Sequence, residues 1–209
     1  MPFLIIILLL GTAIIFPKLI QYNRSQYKEE SGNGFLPTIR NKQYYAEFLA
    51  FTYLEEYGIY RRLITNREFF LNPQESTKLD LVMIHEGGIY IFDVNYHKGK
   101  ILGNGNSKTW SVTYKNEEQH FQNPLEVNKE RMLFFKNTFP EIPESRVKSF
   151  VLLQNECTLG IDQKEFDEGI LLKMKELIKY LNEDMAKTDK FFSQGEIDNI
   201  YNVIKKSTR

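Results

Sequence analysis

Residues 77–99, TKLDLVMIHEGGIYIFDVNYHKG, read as two apolar strands joined at Glu86-Gly87-Gly88, with one aspartate set into each strand. A carboxylate inside a hydrophobic strand is costly unless something compensates it. A two-residue turn at Glu86-Gly87 makes paired residue numbers sum to 173 and sets Asp80 opposite Asp93; a turn at Gly87-Gly88 shifts the sum to 175 and makes them diagonal neighbours. Either way Lys78, Asp80, Asp93 and Asn95 share one face, because a shift of two preserves the side to which each residue points. Directly opposed Cβ atoms lie about 4.5–5.5 Å apart, so the two carboxylates repel unless a cation or donors intervene. A hard divalent cation such as Mg2+ is one answer, able to activate water and steady the charge on a phosphoryl group. The other is that both acids sit at strand ends, solvated or paired with Lys78, without chemistry.

Upstream, TIRNKQYYAEFLAFTYLEEYG spaces Tyr45, Phe48, Leu49, Phe51 and Leu54 as a helix ending at Gly58, with Glu47 beside the apolar stripe. RRLITN is read as a short strand and REFFLNPQEST as a loop with a turn at Asn72-Pro73. Downstream, GKILGNGNSKTWSVTYKNEEQ predicts a strand pair around Gly103-Asn104-Gly105-Asn106, without the following helix and Lys-hydroxyl pair of a phosphate loop. Asn123 as N-cap, Pro124 at the first position and Glu126 start a helix. RVKSFVLLQ predicts a buried strand, GILLK a short one, MKELIKYLNED a helix, and the capping box Ser193 to Glu196 opens the last helix. Strands and helices alternate irregularly, which predicts an α/β (α+β) fold: a mixed central sheet flanked by helices.

Lys plus Arg equals Asp plus Glu at 27 each, so a polyanion site has to be a local patch. The one cysteine, Cys157, excludes an internal disulfide and is expected as a buried thiol in a reducing compartment. From Phe3 to Phe16 the chain is FLIIILLLGTAIIF, uncharged, and PKLIQY lengthens it to roughly 18–20 residues if Lys18 snorkels. No Lys or Arg precedes this run, which argues against a cleaved secretory signal. Lys18, Arg24 and Lys28 follow it, so the positive-inside rule predicts a single-pass membrane protein with its C-terminal domain in the cytoplasm. The expected organisation is an anchor over 1–22, a polar linker over 23–37 and a folded domain over 38–209.

An acid on a helix, an Asp on one strand and an acid-x-Lys at the end of the next is the order of the PD-(D/E)xK nucleases, which this chain resembles except at the lysine. More narrowly, TKLDLVMIHEGGIYIFDVNYHKGKILGNGNSKTW followed by FQNPLEVNKERMLFFK resembles the nuclease-related domain (NERD) family: Thr-x-x-Asp strand, Gly-Ile-aromatic strand, Lys-Gly turn, Trp, then an Asn-Pro-Leu helix. The likeness covers roughly 41–206, most specifically 77–125, with Ala46 where the family helix has glycine. It implies Glu47, Asp80 and Asp93 as ligands of Mg2+ or Mn2+, DNA as partner, and phosphodiester hydrolysis as the activity. Asn95 stands at the catalytic lysine position and brings no positive charge and no base near neutral pH. Lys78 on the same face is the preferred substitute, with Lys98 or His97 folding back as others. The alternative is a catalytically degenerate nuclease fold that binds nucleic acid or a protein at the membrane. Trp110 is expected to pack on the sheet, and Asn123 to cap its helix.

Overall fold

The computed structural model describes residues 2–72, 75–161 and 169–207; the side chains of 2–12 and 69–75 also lie outside the described residues. The 77–99 stretch forms a hairpin of β2 (Glu75–His85) and β3 (Gly88–Asn95), paired from Leu81↔Phe92 to His85↔Gly88. Its register is that of the Glu86-Gly87 turn, so the alternation places Asp80 and Asp93 across from each other one step beyond the last pair. Gly88 is required where β3 starts, because a Cβ there would stand 2.2 Å from the Arg146 carbonyl oxygen.

β3 is the middle strand of a five-stranded mixed sheet. Antiparallel β1 (Arg61–Asn72) and β2 lie on one side, and parallel β7 (Val147–Leu153) and β9 (Ile170–Lys173) on the other. β1 runs on through Arg67–Asn72, which the sequence assigned to a loop; its pairing with β2 continues to Asn72↔Glu75, and Pro73 lies outside the described residues. A second sheet, β6-β5-β4-β8, carries β4 (Gly99–Leu102), β5 (Thr109–Tyr114), β6 (Glu117–Gln122) and β8 (Cys157–Leu159). The expected pair around Gly103 is β4 and β5; β6 was not anticipated, since EEQHFQ is polar, mostly exposed and without apolar alternation. Trp110 is buried in this unit, its Nε1 donating to the Asn104 carbonyl at 2.9 Å, and Cys157 is a buried free thiol.

Period-two alternation gives the central sheet two apolar faces. Leu81, Met83 and Phe92 meet Phe48 and Phe51 of α4 (Lys42–Glu55), while Val82, Ile84 and Ile91 meet Phe135 of α5 (Pro124–Thr138) and Ile197 and Ile204 of α7 (Gln194–Ser207). The predicted cap at Asn123 is made, its side chain accepting from the Leu125 amide, and Asn41 caps α4 by accepting from the Gln43 and Tyr44 amides. Asn123 also donates to Ser107 O at 2.8 Å, tying the start of α5 to the β4-β5 turn. α6 (Leu177–Met185) and the Ser193–Glu196 capping box are also present.

The stretch over 23–37, read as a linker, carries α2 (Tyr27–Ser31) and the start of α3 (Phe35–Arg40). Tyr27 is fully buried, edge-on to Phe48 and Phe51, and Tyr22 near the end of α1 (Pro2–Arg24) packs on Phe35 and Phe48. Aromatic burial of this size outweighs the weak local helix preference of YKEES. Among the described residues no helix is long and apolar enough to cross a membrane; most of the side chains of the run from Phe3 to Phe16 lie outside that set.

Candidate acid centre

The backbone opens a fork at Asp80. On one side Asn66 of β1, which stands opposite Asp80, is a left-handed residue with φ 54°, a local irregularity that leaves the register unchanged from Thr65↔Leu81 to Arg67↔Leu79. On the other, the Val94 amide bonds the Asp80 side chain, Oδ2 at 3.2 Å. Thr65 Oγ1 donates to the Asp80 carbonyl at 2.5 Å and holds the irregularity in place. The carboxylate is thereby turned into the gap where β2 parts from β3.

Asp93 is aimed at the same gap, and a side chain from α5 joins the two. Arg131 Nη1 lies 2.5 Å from Asp93 Oδ1 and Nη2 lies 3.3 Å from Asp80 Oδ2. Arg131 is 4 % exposed. Its Nη1 also donates to Asn128 Oδ1 at 3.3 Å, and Asn128 Nδ2 donates to Phe150 O on β7 at 3.0 Å, so one helix turn aims the fork. Burial works against this charge, but Asp93 and Asp80 outweigh it and raise the Arg131 pKa. Asn95 donates through Nδ2 to Asp93 Oδ2.

Glu47 enters from α4, completely buried, its Oε1 accepting from Gln43 Nε2 at 3.1 Å. Gln43 also donates to Val94 O and accepts from the Tyr96 amide at 3.0 Å, clamping the first turn of α4 to the end of β3. Lys78 Nζ lies 3.4 Å from Glu47 Oε1 and 3.6 Å from Asp80 Oδ1. The structure therefore brings together all five residues singled out in the sequence: Glu47, Lys78, Asp80, Asp93 and Asn95. Neither proposed fold-back residue joins them: His97 is half-buried and stacks on Phe121 with ring centres 4.0 Å apart, and Lys98 lies over the Tyr114 ring.

Three carboxylates and two cations leave the cluster one negative charge in excess. Burial pushes the Asp80 carboxyl up to about 6 against the pull of Arg131 and Lys78, and Asp93 adds to the rise. Burial likewise raises Glu47, with Lys78 opposing. Five of the six carboxylate oxygens are engaged by the contacts above; only Glu47 Oε2 is buried without a hydrogen-bond partner. A divalent ion needs several such oxygens at once, and among the described residues no group of three or more His, Cys, Asp or Glu side chains is placed to hold a metal. The donor set as folded does not fit the ion that the acid pattern implies.

Arg131 and Gln43 were missed in the sequence. The signal for Arg131 is helical spacing: Leu125, Asn128, Arg131 and Phe135 lie along the buried face of α5. An arginine on that face has to find carboxylates. Gln43 precedes Glu47 by one turn, where an amide reaches a carboxylate on the same helix face.

Lysine ammonium groups also sit over tyrosine rings. Lys42 lies over Tyr96 at 5.3 Å, Lys78 over Tyr44 at 6.0 Å and Lys18 over Tyr45 at 4.6 Å. The model of the nuclease-related domain family matches residues 42–154, more than half of the chain and all of this centre. No curated protein and no solved structure matches the chain.

Proposed function

The chain belongs to the nuclease-related domain family, and with it to the PD-(D/E)xK superfamily; from that premise we propose that it is a nuclease-fold protein that binds nucleic acid without cutting it. The observation that carries this reading is the state of the acid pair: Asp80 and Asp93 are joined by Arg131, and the place of the catalytic lysine is taken by Asn95 bonded to Asp93. Cleavage in this fold needs carboxylates open to an ion and a cation beside the attacked phosphate. Here the carboxylates are consumed by side chains, and Asn95 adds no charge.

Binding is supported by the family and by the rim. Exposed Lys42 and partly exposed Lys78 stand over Tyr96 and Tyr44. Ammonium groups beside aromatic faces suit phosphates and bases of a single strand. With zero net charge over the chain, affinity has to come from this patch and to fall steeply with salt. DNA is the preferred partner. The apolar start of the chain supports a membrane anchor: Ile14, Ile15 and Phe16 are exposed on α1, and Lys18 and Arg24 follow. With that orientation the domain faces the cytoplasm.

The second reading is a Mg2+- or Mn2+-dependent DNA nuclease, favoured by the retention of Glu47, Asp80 and Asp93 and by the unpartnered Glu47 Oε2. Anisotropy with labelled single- and double-stranded DNA and RNA, followed by gel analysis after incubation with Mg2+ or Mn2+, separates the two. Retention of an intact oligonucleotide, weakened by Lys42→Ala with Lys78→Ala, is the expected result. Cleavage that disappears in Asp80→Ala and Asp93→Ala would establish the enzyme instead.

A further inference from the structure

The acid centre contains a cation of its own. We propose that Arg131 is the resident cation of this site, a guanidinium that stands in for a divalent ion by neutralising Asp80 and Asp93 together, so that removing it exposes a divalent-cation site. The inference deepens the reading above by naming what occupies the acids, and it rests on that reading in treating them as a nuclease-type centre.

Three observations carry it. The two terminal nitrogens of Arg131 go to different aspartates, Nη1 to Asp93 and Nη2 to Asp80, so one planar group bridges the pair as a metal ion bridges two carboxylates. Asn128 fixes that plane, itself bonded to the β7 backbone, so the bridge is built rather than an accident of a long side chain. And the centre retains one acid oxygen without a partner, Glu47 Oε2, in a cluster with one carboxylate more than cations. A tethered guanidinium competes with free ions at a high effective concentration. Millimolar Mg2+ or Mn2+ therefore has to displace a buried, pre-aimed group. Without Arg131 the same acids are left unpaired and close together, the condition a hard cation relieves.

The test is a titration of the full chain in detergent with Mn2+ alone, read by calorimetry and by the melting temperature. The unmodified chain should show no saturable heat and no shift up to several millimolar ion. Arg131→Ala and Arg131→Gln should both bind Mn2+ and gain about 5 °C or more from it, a response lost when Asp80→Asn is added. A variant that melts cooperatively only with Mn2+ present supports the proposal equally. Binding of Mn2+ by the unmodified chain as tightly as by the variants overturns it. So does the absence of any Mn2+ effect on both variants, folded or not. Oligonucleotide binding by the unmodified chain is measured in parallel: its absence removes the binding-module reading while leaving the ion titration to decide on Arg131.

Discussion

The two ends of β3 each bury a polar cluster, and they are balanced differently. At the start of the strand, Asp184 of α6 accepts from the Tyr90 hydroxyl and from Lys148 Nζ at 2.6 and 2.8 Å, one carboxylate matched by one ammonium. Tyr90 and Lys148 are register partners across β3 and β7, so this cluster ties a helix to the sheet at a defined point. At the other end, three carboxylates face two cations, and one acid oxygen has no partner. The matched end reads as structure. The unmatched end holds a charge that folding by itself gives no reason to retain; the family match spans all of its residues, whereas Asp184 of the matched end lies beyond it.

The largest way to break the contrast is at Arg131. Arg131→Ala leaves Asp80 and Asp93 buried without their shared partner, and such a loss costs about 3–5 kcal/mol. Urea denaturation should show a loss of that size at neutral pH, shrinking as the solution is acidified and the Asp80 carboxyl takes up a proton. A cost under ~1 kcal/mol would mean that the bridge is ornamental.

The two ends should also respond to pH with opposite signs. Asp80 is raised to about 6, so between its ordinary value and 6 the folded chain holds more protons than the unfolded chain. Its contribution is fully present at low pH and is lost as pH rises through 6. His85, buried near Tyr90 at the other end, is lowered by burial to about 4. Between 4 and the usual histidine value the unfolded chain holds the extra proton, so that contribution is lost as pH falls. Each shift corresponds to ~3 kcal/mol across its window. Asp80→Asn should remove the first and His85→Gln the second in melts from pH 4 to 7; a shared sign would refute the assignment of the two slopes to these groups.

At the matched end, Tyr90→Phe removes one donor to Asp184 while Lys148 remains. The expected cost is about 1–2 kcal/mol, read from the same urea curves. A loss as large as that of Arg131→Ala would erase the distinction between the two ends.

Much of this was legible in the chain itself. The shared face of the hairpin followed from strict alternation, with two turn registers left open, and the starts of α5 and α7 followed from their capping residues. Tyr27 was not legible, because a lone aromatic in a polar stretch has no period, and its helix exists through contacts with Phe48 and Phe51 over twenty residues away. β6 hid for the opposite reason: an exposed strand needs no apolar alternation. In the centre, alternation alone put Lys78, Asp80, Asp93 and Asn95 on one face, and the resemblance added Glu47 and the lysine place of Asn95. Arg131 was overlooked because NKERM looks like a solvated helix face; only the spacing of Asn128 and Arg131 with Leu125 and Phe135 places it inside.

The smallest effect is the sharpest test of how the unmatched end is built. Lys78 is 42 % exposed along its side chain, so its ion pairs with Glu47 and Asp80 are screened by water in a way that those of Arg131 are not. Lys78→Ala should cost no more than about 1 kcal/mol near neutral pH. Glu47 limits that cost: its carboxyl is already raised by burial, and without Lys78, the strongest influence opposing that rise, it takes up a proton sooner. The penalty should therefore shrink as pH falls and grow as it rises, in paired urea melts. Arg131→Ala, which strips both aspartates of their buried partner, should cost more throughout the same range. If Lys78→Ala costs as much as Arg131→Ala throughout, the two cations are equivalent and Arg131 has no special claim on the acid pair.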